Sequence, residues 1–245
     1  MHITSAQLDN FGEDTLRRFL ALNIPEGHQL EYKIALTDGS QTKQYYEFLK
    51  DVSAFANASG GNLILGVRQP TDNLSVDNQI VGIFRGDEIA HNLERLCASG
   101  AIEPRIPGLR FHPVSIGSDK HVLVVNVPSS LSRPHMIAYD KKSSFHIRHS
   151  ESAQQMTVFE IRQAVLQGAN MEESARRYLL KAEEEIATYF VEQWPTWLIQ
   201  AMPLILPDSP IDTNDSSIVD ALRNNNRKSI YHSDFALYSM SAPRP

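Results

Sequence analysis

The sequence predicts an α+β fold: a mixed, mostly antiparallel sheet with flanking helices, followed by a helical extension. Three observations predict it. Residues 62–67 form an apolar strand directly after Gly60-Gly61, and Leu63-Ile64-Leu65 lack alternation, so both strand faces are buried. Residues 109–116 and 121–127 are apolar runs around a Gly-Ser-Asp-Lys turn, the pattern of a hairpin. Residues 44–58 and 86–99 carry apolar side chains at three- and four-residue steps, the pattern of half-buried helices.

Taken in order, Asp14 opens a short helix that buries Leu16, Phe19 and Leu20. Arg17 and Arg18 lie about 100° apart on it and read as a solvated face. Pro25 and Gly27 make the backbone around Glu26 irregular. Residues 29–36 alternate as a strand, with Leu30, Tyr32, Ile34 and Leu36 inward and Glu31, Lys33 and Ala35 on the other face. Residues 37–43 read as a polar loop. In the helix over 44–58 the stripe is Tyr45, Phe48, Leu49, Val52, Phe55 and Ala56. Gly60 ends that helix and Gly61 permits close backbone approach.

Beyond the buried strand, residues 70–79 read as a loop and 79–84 as a short strand. Ile89, Leu93 and Leu96 face inward from the next helix. After the hairpin, a loop leads to a strand over 144–148. Thr157 and Glu160 form a capping box for a further helix. A separate, longer helix is expected over 171–193, stopped by Trp194-Pro195. Three regions result: 1–168, a connecting helix over 169–194, and 195–245. The last, with prolines at 195, 203, 207 and 210, reads as a tail or the start of a second domain of a longer parent.

Composition narrows the function classes. The 245 residues are 42% hydrophobic and 21% charged, as in a soluble globular protein. No run approaches the about 18 apolar residues of a membrane span, and the N-terminus lacks signal-peptide order, so no membrane partner and a cytoplasmic location are expected. One cysteine, Cys97, excludes an internal disulfide and a multi-cysteine zinc site; in its apolar-periodic setting it reads as a buried structural thiol. A net charge of −6 argues against general nucleic-acid affinity and leaves room for a local basic patch.

Two clusters carry candidate chemistry. Glu26 and Glu31 with Lys33 are the candidate catalytic set, since paired carboxylates hold Mg²⁺ or Mn²⁺ for phosphoryl chemistry and a lysine contacts phosphate. A solvated strand face is the plainer reading of the same residues. The second cluster, Arg133, His135, Lys141, Lys142 and Arg148, supplies the candidate nucleic-acid contacts along one basic rim. No P-loop, GxSxG or HExxH motif is present.

Together these segments resemble the Schlafen-type, Alba-like family. The carrying motifs run in order: Glu31-Tyr32-Lys33; Ser53-Ala54-Phe55-Ala56-Asn57, then Ser59-Gly60-Gly61 and Leu63-Ile64-Leu65-Gly66-Val67; Ile80-Val81-Gly82-Ile83; Ile102-Glu103-Pro104; the valine-rich strand ending at Pro128; Pro134-His135; Ile147-Arg148; Met156; and Glu160-Ile161. The resemblance covers about residues 20–168. It implies a nucleic-acid-binding module for DNA or RNA, within a larger regulatory or defence protein. For members that cleave RNA it implies three carboxylates holding a metal ion. Glu26 and Glu31 match two of them. The third, an Asp after the strand, is replaced here by Arg68-Gln69, and Asp72 is the nearest carboxylate. A metal-dependent RNA endonuclease completed by Asp72 is the alternative reading. An oligomerisation or scaffold module, a homo-oligomer paired through the 171–193 helix, is a further one. An ATP-binding label also accompanies the family, and no nucleotide-binding fingerprint stands behind it in this chain.

Overall fold

The computed structural model describes residues 3–36, 39–71, 74–187, 230–232 and 235–237. Its class is the expected one, α+β with mostly antiparallel strands, but the strands divide between two main sheets.

Helices α1 (Ser5–Leu8) and α2 (Glu13–Leu20) open the chain. Gly12, not Asp14, is the N-cap of α2; Asp14 sits in the first turn, where its charge suits the helix dipole. Leu16, Phe19 and Leu20 are buried as expected. Arg17 is not simply solvated: it pairs with Glu13 at 2.9 Å and Asp77 at 2.6 Å. Strand β1 (Leu30–Lys33) stops short of the expected 29–36, so Ile34 is exposed rather than inward. Helix α3 (Gln41–Asn57) begins three residues before the expected start. Ser40 caps it, its hydroxyl accepting from the Lys43 amide at 3.4 Å.

The glycine turn after α3 is fixed by space. Gly60 has φ of 71°, and a Cβ there would lie 2.6 Å from the Ser129 nitrogen and 2.7 Å from the Val127 oxygen. Strand β2 (Gly61–Leu65) is then buried along its whole length. A short helix α4 (Val76–Gln79) replaces part of the expected loop, and strand β3 (Ile83–Phe84) is all that forms of the expected 79–84. Helix α5 (Gly86–Leu96) follows, closed by a wide turn over Cys97–Ala101.

Strands β4 (Ile102–Glu103), β5 (Arg110–Ser115) and β6 (Lys120–Val127) come next. The expected hairpin is β5 and β6. Strands β7 (Met136–Tyr139), β8 (Lys142–His149) and β9 (Ser152–Gln155) complete the domain. Helix α6 (Val158–Ala187) carries the predicted capping box: the Thr157 hydroxyl accepts from the Glu160 amide at 3.2 Å, and Glu160 accepts from the Thr157 amide at 2.7 Å. It is one continuous helix, where the sequence suggested two. Gly168, at the expected break, instead packs the helix closely: a Cβ there would lie 2.8 Å from the Arg133 carbonyl oxygen. Of the expected helix over 171–193, residues 188–193 lie outside the described residues. So does nearly all of 195–245, apart from the paired strands β10 (Ile230–His232) and β11 (Phe235–Leu237).

In the first sheet β1 runs parallel to β2, and β2, β3 and β5 all pair antiparallel with the central β6. In the second, β4, β7, β8 and β9 pair antiparallel in that order. Each face of the first sheet buries its own core. Ile64, Val67, Val122 and Val124 pack with Leu30, Tyr32, α1 and α2. Leu63, Leu65, Leu123 and Val125 pack with α3 and α5, and that core continues to Ile102 and Ile137 of the second sheet. Helix α3 thus lies between the two sheets. Asn57, at its end, ties the helix to the second sheet: its Nδ2 donates to the carbonyls of His135 (2.9 Å) and His146 (2.8 Å), and its Oδ1 accepts from the His135 amide (2.7 Å). Among the described residues no helix is long and apolar enough to cross a membrane.

Candidate functional site

Strand period and register decide where the acidic motif goes. Glu31 lies opposite Leu63 and Lys33 opposite Leu65, so both point to the face covered by α3. This face is not solvated. Lys33 Nζ lies 3.1 Å from Glu31 Oε1 and 3.0 Å from Oδ2 of Asp51, a buried residue of α3. The other Glu31 oxygen meets Arg148 Nη2 at 2.7 Å. Charge therefore alternates along one chain: Asp51, Lys33, Glu31, Arg148.

Arg148 is 3% exposed. Its Nε donates to Gly27 O at 2.7 Å, and Nη2 donates to Leu30 O and Glu151 O as well as to Glu31. The guanidinium carbon sits 4.6 Å from the centre of the Phe55 ring. Such a fork is what allows an arginine to be buried. Glu26 stands close by, accepting from the Tyr32 amide at 3.1 Å. Burial, then the Glu31 charge, hold its carboxyl above the usual range. Burial does the same for Asp51, against the pull of Lys33. Burial draws the Lys33 ammonium down, but Asp51 and Glu31 outweigh it and leave the pKa raised.

These residues do not fit a divalent-cation site. Both oxygens of Glu31 are held by cations, and one oxygen of Glu26 is held by an amide. A hard cation needs several free oxygens. Among the described residues no three His, Cys, Asp or Glu side chains are placed to share a metal ion. Asp72 lies outside the described residues. Arg68 and Gln69 are exposed, and Arg68 makes no ion pair with either glutamate among the described residues.

The expected basic rim does not assemble as one surface, and two of its members, Arg148 and His135, are buried instead. Arg148 belongs to the interior, because its partners lie in the β1 region. His135 is 0% exposed: its Nδ1 meets Pro104 O at 2.7 Å and its Nε2 is buried without a hydrogen-bond partner. Arg133 is half-buried, donating to the Ala58 carbonyl just past the end of α3 at 3.3 Å. Lys141 and Lys142 remain exposed, at the turn between β7 and β8.

The surroundings of Lys142 are aromatic, which the spacing of neither stretch predicts. Lys142 Nζ lies 4.9 Å from the Tyr46 ring centre, and the Tyr46 hydroxyl is 3.0 Å from the Ser144 hydroxyl. Tyr45 and Tyr139 rings stand 6.5 Å apart at 59°. Gln41 donates to the Tyr45 hydroxyl at 2.9 Å, and Lys43 is exposed one turn before Tyr46. The first turns of α3 and the β7–β8 hairpin so meet through three half-buried tyrosines, with Lys142 over one ring and exposed Lys141 next to it in the turn. Asp140 sits in the same turn. The signal was available as Tyr45-Tyr46 and Tyr139-Asp140-Lys141-Lys142, but only the fold brings the two stretches together. Cys97, by contrast, is the buried structural thiol expected, with burial pushing its pKa up to about 12.

Two buried histidines give a pH-dependent prediction. Burial lowers the pKa of His135, and burial with the Lys50 charge lowers that of His146. The unfolded chain therefore takes up protons before the native state does. Their contribution is complete above 6.5 and is lost as pH falls below it, by up to about 1.4 kcal/mol per pH unit for each. Glu26 and Asp51, with raised pKa values, act in the opposite sense at lower pH. Urea unfolding between pH 7.5 and 5 is expected to show the fall, and His135→Gln is expected to reduce its slope.

Residues 26–157 match the family model described as Schlafen, AlbA_2. No curated protein matches the chain. Among the solved structures that match is the DIP2311 protein from Corynebacterium diphtheriae, 16% identical, with a TM-score of 0.34. The match covers 53% of this chain and spans 22% of that one.

Proposed function

The chain belongs to the Schlafen, AlbA_2 family, and from that premise we propose that it is a nucleic-acid-binding module whose contact surface is the tyrosine–lysine face of α3 and the β7–β8 hairpin. The observation that carries this reading is the juxtaposition of Tyr45 with Tyr139 and of Tyr46 with Lys142 where α3 meets the hairpin, with exposed Lys141 next to Lys142 in the turn. Lysines neutralise phosphates, and tyrosine rings receive unstacked bases, each stacked base contributing about 1–3 kcal/mol. A chain with net charge −6 needs such a local device, since its overall field repels polyanions. Single strands suit this surface better than duplexes, because only unpaired bases can lie on the rings.

The test is fluorescence anisotropy with labelled single-stranded RNA, single-stranded DNA and duplexes across a salt series. Single strands are expected to bind at low salt. The double variant Lys141→Glu, Lys142→Glu is expected to weaken binding at least tenfold, and each lysine removed lowers the log–log salt slope by about 0.7. No binding of any form at low salt, or unchanged binding by the variant, would overturn the proposal. Shortening of the RNA in Mg²⁺ or Mn²⁺, lost in Glu31→Ala, would favour the endonuclease reading instead.

A further inference from the structure

Exposed large apolar side chains are concentrated on one helix. Among the described residues eight are exposed, and five of them, Val158, Phe159, Val165, Leu166 and Leu180, belong to α6. Val158 is 84% exposed and Phe159 68%. At 100° per residue these five fall within about 120° of arc. The opposite side of the helix, with Ala164 buried and Gly168 against the Arg133 carbonyl, docks on the domain. The stripe is therefore a second apolar face, turned away from the body that the first one serves.

We propose that this stripe is a self-association surface, and that two copies of the chain pair antiparallel through α6, crossing at Leu166 and Ala169. Charge along the stripe selects this occupant and this direction. Arg162, Ala169, Glu173 and Arg176 are exposed in the same arc. An antiparallel crossing at that point sets Leu166 against Ala169, whose small side chain permits close approach. The same register sets Arg162 against Glu173 twice, once on each side of the axis, and Phe159 beneath Arg176, a cation–π arrangement. A parallel pair would set Arg162 against Arg162 and Glu173 against Glu173, which repel. Arg162 has no ion-pair partner among the described residues, and Glu173 has only the exposed Arg177 of its own helix at 3.5 Å. Both are free to pair across a two-fold axis, where one patch meets its own copy.

Sedimentation velocity and light scattering of the full chain test this without reference to nucleic acid. A dimer is expected, becoming a monomer in Phe159→Glu and in Val165→Glu. These positions are exposed, so the thermal unfolding of the monomeric fraction is expected to stay unchanged. Arg162→Glu alone and Glu173→Arg alone are expected to weaken the dimer at least tenfold, and the two together to restore it. A chain that is monomeric at every concentration overturns the proposal, including the case where its own residues beyond 187 protect the stripe from hydrogen exchange. A combined exchange that fails to restore the dimer also overturns it.

Discussion

Replacement of Arg148 by Met is expected to lower unfolding stability by about 3–5 kcal/mol, the range for breaking a buried pair from one side. The substitution keeps most of the side-chain volume against Phe55 and removes the charge. Glu31 is then left partly buried with only Lys33 beside it, and the carbonyls of Gly27, Leu30 and Glu151 lose the guanidinium as a donor. Arg148→Lys is expected to recover only part of the loss, because an ammonium cannot reach these acceptors in a planar fork. Urea unfolding at neutral pH measures both. A loss below about 1 kcal/mol for Arg148→Met would show that the cluster relaxes around the gap, as an exposed pair does.

The second large effect is expected at Asn57. Asn57→Leu removes the side-chain partner of three buried backbone groups: the His135 amide and the carbonyls of His135 and His146. Each costs about 1–3 kcal/mol, so a total beyond about 3 kcal/mol is expected. Asn57→Asp keeps the acceptor for the His135 amide but turns an oxygen toward two carbonyl oxygens, in a site that is 2% exposed. It is expected to be at least as damaging at neutral pH and to improve as the pH is lowered and the carboxyl protonates. Equal damage at all pH values would place the cause in packing rather than in the lost donors.

These two residues show what was legible in the sequence and what was not. The helix, glycine turn and buried strand could be read locally, because an apolar stripe and a run without alternation are short-range signals. Asn57 could be read as part of a family signature, but its task could not: its partners are 78 and 89 residues away. The place of Arg148 is hidden for the same reason. A cation in a strand looks solvated until the fold supplies carbonyls to hold it. The second sheet was invisible as a sheet because β9 is polar and mostly exposed and β7 buries only Ile137 fully. The acidic motif was placed on the correct strand and the correct face. That face reads as an outer one, since nothing in 29–36 announces that α3 will cover it. Ser40 is a good capping residue, but the polar stretch around it gives no sign of where the helix begins. Tyr45 reads as core from its spacing, while in the fold its half-buried ring lies beside Tyr139.

The link between Glu31 and Arg148 also has a meaning in time. The two are 117 residues apart, so a ribosome that has just made Glu31 works on the order of ten seconds more, at about 5–20 residues per second, before it makes Arg148. Through that interval β1 and β2 can pair and α3 can form, but Gly27 and Leu30 offer carbonyls to a guanidinium not yet synthesised. The nascent N-terminal half is thus committed to an arrangement whose last neutralising charge arrives with β8. Any stop before residue 148 therefore leaves Glu31 with Lys33 alone and the interior without its buried guanidinium.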